Sequence, residues 1–103
     1  MTDITSHHDK LVAKAQDGLA DLTATLTRKI ESLHGLAIDR TTEDQTRLAA
    51  KARGVEAGLR IAQAAEAPTT ALWAMREALP EAAEDERPGL EIAIQDAVLI
   101  ARL

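Results

Sequence analysis

Apolar residues recur along the first third of the chain at Leu11, Ala15, Leu19, Leu22, Leu26, Ile30 and Leu33, with spacings of 4, 4, 3, 4, 4 and 3. The period is eleven residues, or about 3.67 per turn. It predicts a long amphipathic helix that packs on its neighbour nearly straight or with a slight right-handed twist. Ser6, with Asp9 three residues on, suits the N-cap of this helix. Gly35 suits its end as a left-handed C′ residue, with Leu36 folding back on Ile30. The predicted element covers residues 6–34, and Gly18 interrupts it at a cost of roughly 1 kcal/mol relative to Ala. A helix of about 29 residues is about 43 Å long. A compact domain of this size is roughly 34 Å across. The helix must therefore overhang its own domain or be covered by another subunit.

After a short loop, Thr42-Glu43-Asp44-Gln45 reads as a Thr-x-x-Gln capping box with two acids in the first turn. A second helix follows over about 43–66. In it Leu48, Ala52, Val55, Leu59 and Ala62 make a short heptad seam. The short connection makes the two helices antiparallel, so residues 6–66 form a helical hairpin. A second pattern, Ala50, Gly54, Gly58 and Ala62, puts a small residue at every fourth position. Two glycines inside a helix cost about 2 kcal/mol, which close approach by another helix would offset. Two readings fit: the first helix packs there within the chain, or another subunit does. Arg53, Glu56 and Arg60 interleave with the stripe, which gives it no membrane meaning.

Pro68 ends the second helix, and Leu72, Met75 and Leu79 predict a third over 69–79. Trp73 adjoins that stripe. Core is the commoner place for it, and an exposed anchor for a partner is the alternative. Residues 80–89 read as a solvated acidic connector, with Glu81, Glu84, Asp85 and Glu86 against Arg87. In the last segment Leu90, Ile92 and Ile94 alternate like a strand, but Ala93, Ala97 and Ala101 favour helix. A helix over 90–103 is predicted, apolar on nearly all sides. The expected fold is all-α: one domain, residues 1–103, built as a long antiparallel helical hairpin plus one or two shorter C-terminal helices.

Composition makes the core thin. There are 23 Leu, Ile and Val residues and 21 Ala, with a single Trp and no Phe or Tyr. Aromatic side chains normally supply large buried areas. Without them, close helix approach or a partner's apolar surface is needed, so a homo-oligomer is expected. Its candidate interface is Leu11, Leu19, Leu22 and Leu26 with Ala50, Gly54, Gly58 and Ala62. The apolar tail and Trp73 are candidates for binding another protein, through Trp73, Leu90, Ile94, Val98 and Leu103. No apolar run approaches the ~20 residues of a membrane span. No signal-peptide-like stretch opens the chain, and cysteine is absent. A cytoplasmic protein without membrane contact is expected.

Motif chemistry is sparse. The two serines are Ser6 and Ser32, and no Gly-x-Ser-x-Gly turn surrounds either. His7 and His8 point about 100° apart on a helix and cannot clamp one metal well; His34 suits a helix C-terminus. No Glu-x-x-His pair or glycine-rich phosphate loop occurs. The expectation is a non-enzyme with no catalytic residue, metal, cofactor or small-molecule substrate. An enzyme would need a buried acid in a pocket, for which Asp17, Asp21 and Asp96 are the candidates. The net charge is −5, divided as −1 over residues 1–51 and −4 over residues 52–103. Nucleic-acid binding starts from positive charge. Arg47, Lys51 and Arg53 offer at most a weak contact, useful only if an oligomer repeats it.

The hairpin pattern over residues 6–66, Leu11 to Leu33 and Leu48 to Ala62, resembles the small terminase subunits of phages and phage-derived gene transfer agents. The resemblance implies a ring built from hairpins, with residues 68–103 recruiting a DNA-packaging motor. The chain departs from most of that family in lacking an N-terminal helix-turn-helix, so specific DNA recognition is not implied. A competing reading is a small acidic inhibitor or antitoxin-like protein that masks a basic, nucleic-acid-binding partner. The net charge and the acidic connector motivate it.

Overall fold

A computed structural model describes residues 2–102, with side chains from Asp9 on. It contains helices α1 (Thr2–Leu36), α2 (Thr42–Ala64), α3 (Pro68–Ala78) and α4 (Arg87–Arg102), and a 3-10 turn over Leu79–Glu81. Among the described residues there is no strand. The hairpin of α1 and α2 is present, as the seam spacing predicts. The final segment is helical despite its alternating start, because alanines at positions 93, 97 and 101 keep one helix face small enough to pack.

Helix boundaries shift for local reasons. α1 begins at Thr2, so Ser6 sits inside it rather than capping it, and the side chains of Ser6, His7 and His8 lie outside the described residues. α1 also runs through Gly35, which has no positive φ. The chain instead reverses at Asp39, with φ 64°. Asp tolerates the left-handed region because its short side chain can bond locally. Leu36 stays on the surface rather than folding back.

The cap of α2 is one residue earlier than the capping-box reading places it. Thr41 is extended and its hydroxyl accepts the Asp44 N–H at 3.2 Å. Gln45, freed from the box, donates instead to the Ala37 carbonyl at 3.1 Å and ties the turn to the helix. Thr41→Ala should therefore cost about 1 kcal/mol. A urea titration would read this as a lower midpoint at unchanged slope; no shift would show that water caps α2 equally well.

The core lies between α1, α2, α3 and α4. Leu22, Leu26, Val55, Met75 and Leu90 are its largest fully buried side chains. α4 lies along α2 in the same direction, and this settles the small-residue stripe. A Cβ on Gly54 would overlap the Glu86 carbonyl oxygen, and one on Gly58 would overlap the Ala93 Cβ. The close neighbour of Gly54 and Gly58 is thus α4 rather than α1. Gly89 completes the contact: a Cβ there would overlap the Lys51 carbonyl and lie 2.9 Å from the Gly54 Cα. Two backbones meet where neither helix has a side chain. Gly18 has a parallel role, since a Cβ on it would lie 2.8 Å from Pro68 Cγ.

The acidic connector is more ordered than a solvated linker. Arg87 donates to the carbonyls of Ala82 and Pro80, each at 3.2 Å. Arg53 reaches Glu86 at 3.5 Å and Asp85 at 3.8 Å. The molecule measures 62 × 26 × 19 Å, with a radius of gyration of 15.9 Å. A compact 100-residue domain has roughly 13 Å. The excess is α1, about 52 Å long at the usual rise.

Candidate functional site

α1 outruns its partners. Gly18 lies against Pro68, the first residue of α3, and against Ile100 near the end of α4. The part of α1 before Gly18 therefore continues past the ends of the other helices. Leu11 (54% exposed) and Val12 lie on it. The seam that Leu19, Leu22 and Leu26 bury within the chain goes on, through Ala15 and Leu11, into solvent. Where it emerges, α1 and the ends of α3 and α4 bound an open groove of about 420 Å³, with Leu11, Ala15, Gly18, Pro68 and Ile100 along it. Lys14, Asp17 and Asp21 border the same groove.

The candidate interface residues thus divide. Leu22, Leu26, Ala50, Gly54, Gly58 and Ala62 are buried within one chain, and Leu19 packs against that core. They are core residues whose cover α4 and the hairpin already supply. Leu11 alone of that set is open. The partner-binding set divides as well. Leu90 is fully buried against α2, because Gly54 and Gly58 let α4 in so closely. Ile94 and Val98 are half-buried against the core, and Leu103 lies outside the described residues. Trp73 is 58% exposed, contrary to the commoner expectation. Ala71, Leu72 and Met75 carry the buried face of α3, and Trp73 falls just off it. The Arg76 guanidinium lies 5.6 Å from its ring centroid, a cation–π arrangement.

Two of the three basic residues sit beside acids. Arg47 pairs with Asp44 at 3.3 Å, and Arg53 is engaged by Glu86 and Asp85. Lys51 borders a separate hollow of about 210 Å³ with Lys29, Ser32 and Gln95.

Of the three candidate acids for an enzyme, Asp17 and Asp21 are exposed and Asp96 is buried at 8% exposure. Lys29 Nζ lies 2.7 Å from its Oδ1 and 2.6 Å from its Oδ2. Sequence reasoning did not find this pair, whose members are 67 residues apart. The available signal was the position of Asp96 on the face that also carries Ala93 and Ala97. Lys29 donates its hydrogen bond to Oδ1, while Oδ2 is a buried oxygen with no hydrogen-bond partner of its own; the ion pair links α1 to α4. Among the described residues no group of three His, Asp or Glu side chains is placed to hold a metal ion. No described helix is long and apolar enough to cross a membrane. No family model, curated protein or solved structure matches this chain.

Proposed function

We propose that this protein is a non-enzymatic assembly protein that self-associates and carries a docking site for another protein. One observation carries the reading: the apolar seam of α1 continues beyond the folded body, leaving Leu11 and Val12 uncovered beside an apolar groove. A helix that gains nothing from its own chain over several turns is marginal in water, since most helical stability in proteins comes from packing. The overhang gains its stability when something covers it. Trp73 on α3 and Leu99 on α4 are exposed elsewhere and suit contact with a different protein.

The finer version of this proposal is a small-terminase-like subunit, which assembles into a ring and recruits a DNA-packaging motor through the part after Pro68. With Arg47 and Arg53 paired to acids, any contact with DNA would be weak and gain strength only by repetition in the assembly.

Light scattering coupled to size exclusion tests the coarse reading. The expected result is a mass several times the 11.1 kDa of one chain. A monomer at every concentration would overturn it and leave the partner-masking reading.

A further inference from the structure

The overhanging part of α1 has a second pattern beside its apolar seam. Lys10 and Lys14 are followed by Asp17 and Asp21, at spacings of 4, 3 and 4. At about 100° per residue the four side chains fall within an arc of about 60° on one face. That face flanks Leu11, Ala15 and Gly18, and Lys14, Asp17 and Asp21 border the groove itself. All four are exposed, and none makes an ion pair with another described residue.

The order of charges is antisymmetric about the point between Ala15 and Gln16: positive before it, negative after it. A second copy laid parallel and in register would put Lys10 on the partner's Lys10 and Asp21 on the partner's Asp21. A second copy laid antiparallel puts Lys10 on the partner's Asp21 and Lys14 on the partner's Asp17, each pair formed twice by the two-fold axis. The same alignment sets the partner's Leu11 beside Ala20. Along the helix axis that level is two residues from Gly18, which lines the groove with Pro68 and Ile100. The charge pattern selects the register, and that register brings the partner's Leu11 to the level of the groove.

We propose that two copies of this chain pair antiparallel through residues 10–21 of α1. Leu11 of each inserts between α1, α3 and α4 of the other, and four intermolecular Lys–Asp pairs flank the contact. The occupant of the groove is a second copy, because the charge pattern is complementary to itself in this one orientation. Such an interface is isologous and closes on two subunits, so any larger assembly is built from these dimers. This inference rests on the self-association proposed above and adds its surface, its direction and an even subunit number.

Two full-length variants test it. Lys10→Glu with Lys14→Glu makes the stripe wholly acidic; Asp17→Lys with Asp21→Lys makes it wholly basic. Each alone is expected to lower the scattering mass at a concentration where the natural chain is associated, by half where the natural species is the dimer. An equimolar mixture is expected to restore it. The four side chains are exposed, so thermal melts confirm folding of both variants. Direction is read separately by disulfide trapping, in a chain with no native cysteine. Lys10→Cys and Asp21→Cys should cross-link only when mixed, since antiparallel pairing holds the two copies of residue 10 about 16 Å apart. Cross-linking of Lys10→Cys with itself would show parallel pairing and overturn the proposal. If the charge variants keep the natural mass, the surface is wrong, although self-association stands. If the natural chain is a monomer throughout, both fail together.

Discussion

Gly54→Ala is expected to be among the most damaging single-methyl changes in this protein, with Gly89→Ala at the same contact. The new Cβ at position 54 would overlap the Glu86 carbonyl oxygen and would lie 2.7 Å from the Leu90 nitrogen and 2.8 Å from the Gly89 Cα. All three are backbone atoms, so no rotamer change relieves the clash. α4 would have to withdraw from α2, and Leu90 and Ala93, both fully buried now, would lose contact. Overpacking of this kind costs up to about 3 kcal/mol or more. A small domain has only about 5–15 kcal/mol in all. At roughly 4–8 °C per kcal/mol, the melting temperature should fall by roughly 12–24 °C. Gly35→Ala is the control. It too replaces a helical glycine, but its Cβ meets nothing within 4 Å, and no glycine has a positive φ. The replacement should stabilise by roughly 0.5–1 kcal/mol. Paired circular-dichroism melts at equal concentration read both signs. A Gly54→Ala chain that melts with the natural one would refute the tight α2–α4 crossing.

The contrast between these two glycines marks how far the sequence could be read. Residues 50, 54, 58 and 62 announced a close approach, because glycine inside a helix needs a compensating reason. They did not announce which helix approaches. That depended on Gly89, which reads locally as the end of a loop and matters only once α4 begins at Arg87 and brings it to Gly54. The long seam from Leu11 to Leu33 was legible as a helix and, by its length, as an overhang. The positions at which it passes from core to solvent depend on where α2 ends and α4 stops, which periodicity does not specify. The turn was misread in a related way. Gly35 and Asp39 are both permissible at positive φ; Asp39 takes it, in the turn that Gln45 spans by bonding back to Ala37. Trp73 is exposed because Leu72 and Met75 already fill the buried face of α3, an outcome set by packing rather than by its own hydrophobicity.

Lys29→Met should also destabilise the fold, and the double variant Lys29→Met with Asp96→Leu should recover most of the loss. Asp96 is the one charged residue among the buried side chains described, and Lys29 lies within hydrogen-bonding distance of both its oxygens. Removing the ammonium leaves a carboxylate enclosed without its counter-charge. Losing a charged hydrogen bond in this way costs about 1.5–3 kcal/mol. The lower half of that range is expected, because the Lys29 side chain is 42% exposed and water screens its charge. Replacing both partners removes the unpaired charge and adds apolar contact beside Ala93 and Ala97, so its net cost should be close to zero. Urea unfolding of the two single variants and the double closes the cycle, and the expected coupling is more than about 1 kcal/mol. Additive single effects would mean that the pair is a surface contact of no consequence. Strong coupling with a fully stable double variant would mean something more specific. The pair would then hold α4 in one register along α1, and the apolar replacement would keep stability while releasing that constraint. Heteronuclear spectra of the double variant would report the release as broadened α4 amides.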